Sequence, residues 1–320
     1  MKRVTVVGCG RWGSFLAWYL NRLGHRVTLY GRPGSSRMAQ FLQTRSNGSV
    51  TLPPAVGLST SLAEALAGAD ILVISIGSQS LRGFMGQLAP LAPHNLDVVL
   101  CMKGLEVGTG KRLSQIAGEF LGPSRAVSVW LGPGHVQEFT AGIPNCMVID
   151  SLDEAAKERL IQAFKGDLIR FYYGQDLLGN EIGGAAKNVI GIAAGMLDGL
   201  DRTNLKGALM SRGTREIARL IAAMGGNEQS AYGLCHLGDY QATVFSPFSH
   251  NRRYGEAVVK GEPFDKLAEG YYTVKALLLL GARYGVELPI CDAVDGVLYH
   301  GAAPMEALSA LFTRSLKKEF

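Results

Sequence analysis

The chain has 320 residues, 47% apolar and 18% charged, which suits two domains with a sizeable core and excludes a disordered chain. Its net charge of +5 is spread without a run of five basic residues, so no nucleic-acid groove is expected; a local basic pocket for a small phosphorylated molecule fits better. Five cysteines without a C-x-x-C pair, and histidines without an H-E-x-x-H or H-x-x-x-H pair, exclude a disulfide framework and predict a reducing compartment and no metal site.

Residues 4–7 read as a buried strand, too short for the apolar region of a signal peptide. Phe15, Leu16, Tyr19, Leu20 and Leu23 recur at helical spacing and predict a helix over 12–23, stopped by Gly24. A second strand is expected at 26–30, a short alanine-rich helix at 62–67 and a third strand at 71–76. Runs at 98–101, 126–131 and 146–149 continue the pattern, and 168–173 is the last β-rich run. Strands alternating with helices predict an α/β half with a parallel, doubly wound sheet and helices on both faces. From 178 onward no run reads as strand; 181–200, 208–224, 271–284 and 292–299 carry helical patterning, which predicts an all-α C-terminal half. The expected domains are therefore 1–178 and 179–320. The most apolar later stretches, 189–200 and 276–280, fall short of the ~18 residues of a membrane helix, so a cytoplasmic protein without a membrane span is expected.

The sequence GCGRWG at 8–13 matches G-x-G-x-x-G directly after the first strand and at the start of the first helix. That context turns a weak pattern into a Rossmann-type dinucleotide site. Gly8 permits the tight turn, Gly10 lets the backbone approach a pyrophosphate, and Gly13 lets helix and strand pack closely. The free N–H groups at the helix N-terminus then face the phosphates. An NAD site would place a carboxylate at the end of the second strand. This chain ends that strand in Tyr30, Gly31 and Arg32. Arg32 stands where a 2′-phosphate would sit, which favours NADP over NAD; the alternative is a solvated loop arginine.

The segment NEIGGAAKNVIGIAAGMLDGL at 180–200 is rich in small residues, with Gly184, Gly191 and Gly195 open to close backbone approach. Lys187 and Asn188 stand in its middle. A lysine held there is costly unless it is paired or working, and burial tunes such an amine toward general acid/base chemistry. A lysine reaching out to solvent is the alternative.

These segments belong to an ordered series: GCGRWGSFLA at 8–17, SQSLR at 78–82, MKGLE at 102–106, GPGHVQEFTAGIP at 132–144, GGAAKNVIGIAAGMLDG at 183–199, ALMSRG at 208–213, LGDYQAT at 237–243, SHNRRYG at 249–255 and AEGYYTVK at 268–275. Together they resemble the NAD(P)-dependent glycerol-3-phosphate dehydrogenases over nearly the whole chain. The resemblance implies hydride transfer between NAD(P)(H) and glycerol 3-phosphate or dihydroxyacetone phosphate, feeding glycerophospholipid synthesis, in a homodimer. It implies that Lys187 exchanges the proton of the substrate hydroxyl, that Lys103 polarises the ketone oxygen, and that Asp239 and Thr243 stand beside the lysines. By the same resemblance Gly8, Gly10, Arg11, Trp12, Gly13, Arg32, Lys103, Val136, His250 and Glu269 would contact the cofactor. Lys103, Gly132, Gly134, Asn188, Ser249, His250 and Asn251 would hold the substrate, and Arg212 lies in a retained block.

Two positions depart from the family pattern. An arginine that grips phosphate in the family is His250 here, and a hydroxyl residue in the G-P-[ST] block is Gly134. Arginine grips phosphate bidentately and stays charged, whereas histidine does neither, so Arg252 or Arg253 is the alternative phosphate holder. Two other readings stay open: a paralogue acting on another small hydroxy compound, and a non-catalytic NADP(H)-binding redox sensor. The joint presence of Lys103, Lys187, Asn188 and Asp239 speaks against the sensor, which needs none of them.

Overall fold

The computed structural model describes residues 1–122 and 125–315. They form two compact units, Met1–Lys103 with Arg112–Glu181, and Gly104–Lys111 with Ile182 onward. The short segment 104–111 thus groups with the helical unit, where Gly110 packs on Leu280.

The first unit runs β1 (Arg3–Val7), α1 (Arg11–Arg22), β2 (Arg26–Tyr30), α2 (Ser36–Thr44), β3 (Gly57–Ser59), α3 (Leu62–Leu66), β4 (Ile71–Ile74), α4 (Leu81–Leu88), β5 (Asp97–Leu100), α5 (Leu113–Leu121), β6 (Val127–Leu131), α6 (Val136–Thr140), β7 (Asn145–Ser151), α7 (Glu154–Phe164) and β8 (Ile169–Tyr173). Its sheet has the order β3-β2-β1-β4-β5-β6-β7-β8. The order reverses between β1 and β4, the place where doubly wound sheets open a ligand crevice. Every residue of β4 is buried, as a strand covered on both faces demands. Gly24 takes a left-handed φ of +86° just past α1, the conformation that ends a helix.

All strand pairs are parallel except β6 with β7, so the expected parallel sheet carries one antiparallel pair. The reason lies in α6. Five helical residues rise only about 7 Å, less than the ~17 Å of a strand, so this link does not carry the chain back to the far end of the sheet. The longer α7 restores a parallel β7–β8 pair.

Aromatic rings bind α1, β6 and α7 into one core. Phe15 stacks on Tyr19 at 5.9 Å, Trp130 stacks on Phe164 at 5.0 Å, and Tyr19 meets Trp130 edge-on at 6.2 Å. The Tyr19 hydroxyl donates to the Phe164 carbonyl at 2.7 Å, so the buried phenol is satisfied. Two polar knots close the unit. Buried Lys157 donates to Glu154 and to the Gly174 carbonyl beside Asp150, whose carboxylate accepts from Asn180 at 2.7 Å. Glu181 accepts from Arg112 at 2.6 Å and from the Ser114 amide at 2.9 Å.

The helix α8 (Leu177–Gly199) is followed by α9 (Lys206–Ala223), a 3-10 turn (Leu237–Asp239), a π turn (Gln241–Phe245), α10 (His250–Lys260), α11 (Glu269–Tyr284), α12 (Pro289–Tyr299) and α13 (Pro304–Phe312). Among the described residues no strand follows β8. None of their helices is long and apolar enough to cross a membrane. In the helical unit α8 and α10 meet backbone to backbone: a Cβ on Gly195 would fall on the Arg252 carbonyl, and one on Gly255 on that of Ile192. Only glycine allows that approach.

Candidate functional site

In the first unit the turn between β1 and α1 is built by exclusion. Gly8 has φ +112°, and a Cβ there would fall on the Ser75 carbonyl oxygen. A Cβ on Gly13 would fall on the Gly8 carbonyl oxygen. Gly10 differs: it is extended (φ −72°, ψ 177°), caps α1 without a side chain, and has only the Arg37 guanidinium near where a Cβ would stand. The first turn of α1 therefore presents main-chain N–H groups beside bare backbone, a cradle that fits a dinucleotide pyrophosphate. Arg11 is exposed, while Trp12 packs 5.1 Å from Phe15 and 6.2 Å from Phe139.

Arg32 lies exposed just past β2, and Arg37 stands in the first turn of α2. Burial pushes the Cys9 thiol up to about 11, opposed by the charge of Arg37. Arg37 is a cation at the turn that reading β2 to its end misses; only the fold of α2 brings it there.

The same unit holds Lys103 and the Gly132 loop. Lys103 Nζ donates to the Gly132 carbonyl at 2.7 Å. Gly132 has φ +125°, with the Met147 Cα 3.0 Å from where a Cβ would sit. Gly134 has φ +152°, and a Cβ there would run into the ring of Phe139, which itself stacks on Phe15 at 5.0 Å. The departure at Gly134 thus has a packing cause: any side chain must displace that ring. Val136 is buried at the start of α6.

The helical unit gathers most of the remaining candidates around the middle of α8. Lys187 is buried; its ammonium pairs with Asp239 at 2.8 Å and donates to Thr243 at 2.7 Å. Asp239 comes from the 3-10 turn and Thr243 from the π turn. A buried ammonium facing a carboxylate and a hydroxyl is compensated rather than stranded, which rules out the reading of Lys187 as a lysine reaching to solvent. One residue on, the Asn188 side chain accepts from the Asn251 amide at 3.0 Å, and Asn251 in turn accepts from the Gly270 amide at 2.9 Å. Gly191 lies between Thr243 and Asn251, so the lysine and asparagine groups share one wall. Ser249 caps α10 by accepting from the Arg252 amide, and Glu269 opens α11.

His250 occupies the first position of α10, its Nδ1 3.2 Å from the Leu267 carbonyl and its ring edge-on to Phe264 at 6.3 Å. Arg252, the alternative phosphate holder, is engaged within the protein. Its guanidinium is held by Asp198 at 2.6 Å and by the Ser246 carbonyl at 3.1 Å. Arg253 is exposed. Arg212 lines a separate apolar cavity of about 520 Å³ among α8, α9, α12 and α13, with Met196, Leu209, Ile290 and Val294; neither Lys187 nor Asp239 lines it.

Two family models match, the NAD-dependent glycerol-3-phosphate dehydrogenase N-terminus over residues 3–157 and its C-terminus over 176–309. The glycerol-3-phosphate dehydrogenase [NAD(P)+] of Thermoanaerobacter sp. (strain X514) is 36% identical over 99% of this chain and 98% of its own. That of Thermobifida fusca (strain YX) is 36% identical over 100% and 99%. A crystal structure of glycerol-3-phosphate dehydrogenase from Coxiella burnetii superposes with a TM-score of 0.91 at 27% identity, covering 98% of this chain and 99% of that one. With both family models matched in order on units of the matching architecture, the chain belongs to the NAD-dependent glycerol-3-phosphate dehydrogenase family.

Proposed function

We infer that this protein interconverts glycerol 3-phosphate and dihydroxyacetone phosphate with NAD(P)(H), with Lys187 as the acid/base group. The observation that carries the assignment of Lys187 is its buried contact with Asp239 and Thr243. In the reducing direction the Lys187 ammonium gives a proton to the ketone oxygen, which becomes the C2 hydroxyl; in the oxidising direction the amine takes it back. Asp239 keeps the ammonium charged and aimed while it is buried, and Thr243 fixes its direction. Nicotinamide, when bound, supplies or accepts the hydride at C4. Lys103 is assigned to the ketone oxygen by resemblance, and its hold on the Gly132 carbonyl gives it a defined orientation.

The preference for NADP belongs to the same proposal. It is supported by Arg32 and Arg37 near the end of β2 and by the lack of a carboxylate after Tyr30. A cytoplasmic homodimer whose product enters glycerophospholipid synthesis completes the reading; the five unbridged cysteines agree with a reducing compartment.

A second reading, a paralogue for another small hydroxy compound, is favoured by Gly134 and His250. An assay of NADPH oxidation decides between them. Turnover with dihydroxyacetone phosphate is the expected result. Silence there with turnover on an unphosphorylated ketone would establish the paralogue instead.

A further inference from the structure

The helical unit holds a fully buried histidine that the proton transfer itself does not use. His236 Nδ1 lies 2.8 Å from the Gly183 carbonyl oxygen, and Nε2 lies 2.7 Å from the Tyr240 hydroxyl. A carbonyl only accepts, so Nδ1 carries the proton and donates it; Nε2 accepts from Tyr240. The Tyr240 hydroxyl also sits 3.5 Å from Thr214 of α9. Burial, aided by the charge of Lys187, pushes the imidazole down to about 4, so at neutral pH the ring is neutral and its tautomer is fixed by its two partners.

The two ends of this imidazole lead to the two members of the catalytic ion pair. Gly183 precedes Lys187 by four residues, so helix geometry gives its carbonyl to the amide of Lys187 itself. The same oxygen that closes the turn under Lys187 therefore accepts from His236. In the other direction the Asp239 amide donates to the His236 carbonyl at 3.0 Å, which forms the turn that carries the Asp239 carboxylate, and Tyr240 follows it. A Cβ on Gly183 would stand 3.0 Å from the His236 Cβ, so glycine there lets the histidine lie against α8.

We propose that His236 is the positioning residue of the Lys187–Asp239 pair, aligning it through the Gly183 carbonyl on one side and Tyr240 on the other. An apolar side chain of similar size fills the space but holds neither partner. The proposal rests on the reading of Lys187 as the acid/base group, and two readouts keep the two claims apart.

His236→Leu should lower kcat for reduction tenfold or more with KM for NADPH unchanged. It should lengthen the Lys187–Asp239 distance in a crystal structure beyond 4 Å. Asp239 pairs with the Lys187 ammonium, and the charges of both act on His236. An ammonium that loses its carboxylate partner releases its proton more readily, so the alkaline limb of the kcat profile should move to lower pH. His236→Asn, whose amide reaches the Gly183 carbonyl from the Nδ1 position, should restore most of the rate and the limb. Tyr240→Phe, which keeps the ring packing, should shift the same limb by a smaller amount and serves where the leucine variant does not fold. A folded His236→Leu protein with unchanged rate, limb and distance would overturn the proposal, as would a loss that Asn does not relieve. If Lys187→Met retained turnover, the acid/base reading would fall, and the distance in His236→Leu would still report on the alignment.

Discussion

In the first unit the turn between β1 and α1 offers a ligand main chain. Gly8, Gly10 and Gly13 contribute by having no side chain, and the groups offered to a ligand are backbone amides at the head of α1. In the helical unit the candidate site is made of side chains: Lys187, Asp239, Thr243, Asn188 and Asn251, drawn from two helices and two tight turns and largely removed from water. The difference has a physical consequence. A backbone site is as rigid as the sheet beneath it and fails when a side chain intrudes. A buried ionic site depends on each partner satisfying the other, and fails when either is removed.

That contrast predicts its largest effect at Lys187. Lys187→Ala should cut turnover by roughly 10²–10⁴ while NADPH binding, measured by fluorescence titration, stays intact. Near-normal turnover would break the comparison, because the side-chain site would then be dispensable.

Next is a stability effect confined to the helical unit. Burial raises the Glu216 carboxyl to about 7, against the opposing N–H donations from Ile290 at 2.9 Å and Cys291 at 3.2 Å. The folded state therefore keeps a proton between about pH 4.5 and 7 that the unfolded chain has lost. The contribution of Glu216 to stability should fall as pH rises through that window, by an amount on the order of 3 kcal/mol. His236 acts with the opposite sign: it is neutral in the fold and protonated in the unfolded chain between about pH 4 and 6.5, so its contribution is lost as pH falls. Where the two windows overlap these contributions offset; Glu216→Gln keeps an oxygen acceptor and removes its titration, so in urea melts the variant's stability should rise between about pH 4.5 and 6.5 where the parent's stays nearly level. A variant with the parent's profile would show that Glu216 does not carry it.

The backbone site is tested by Gly13→Ala. Its Cβ must displace the Gly8 carbonyl, an overpacking that costs about 1–3 kcal/mol. NADPH binding should weaken tenfold or more. Unchanged affinity would show that the turn tolerates a side chain and that absence of side chains is not what makes the site.

The smallest expected effect is at Arg32. Arg32→Ala should weaken NADP(H) by about fivefold to tenfold and spare NAD(H), since an exposed charge-assisted contact is worth little more than that. Equal shifts for both cofactors would remove Arg32 from the site and leave Arg37 as the cation beside the turn.

Legibility in the sequence follows the same division. The glycine turn, the buried strands and the end of α1 at Gly24 are local, so consecutive residues reveal them. The three-residue β3 is too short to show a period, and α4, with glycines at 83 and 86, carries a weak helical signal; neither stands out before the fold is known. Lys187 stands out as a charge on a small-residue helix, and the family resemblance supplies Asp239 and Thr243 as its neighbours. Nothing in the sequence shows that Arg252 is committed to Asp198, that Gly134 makes room for Phe139, or that His236 joins the carbonyl beneath Lys187 to Tyr240. The parallel sheet was written in the alternation of strands and helices, but the reversal at β7 was decided by how far five residues of α6 can reach. By itself the chain determined what is local, because turns and periodicities act between near neighbours. Which distant polar groups meet was left to tertiary structure, because a buried charge takes its partner from whatever the packing brings within hydrogen-bond reach.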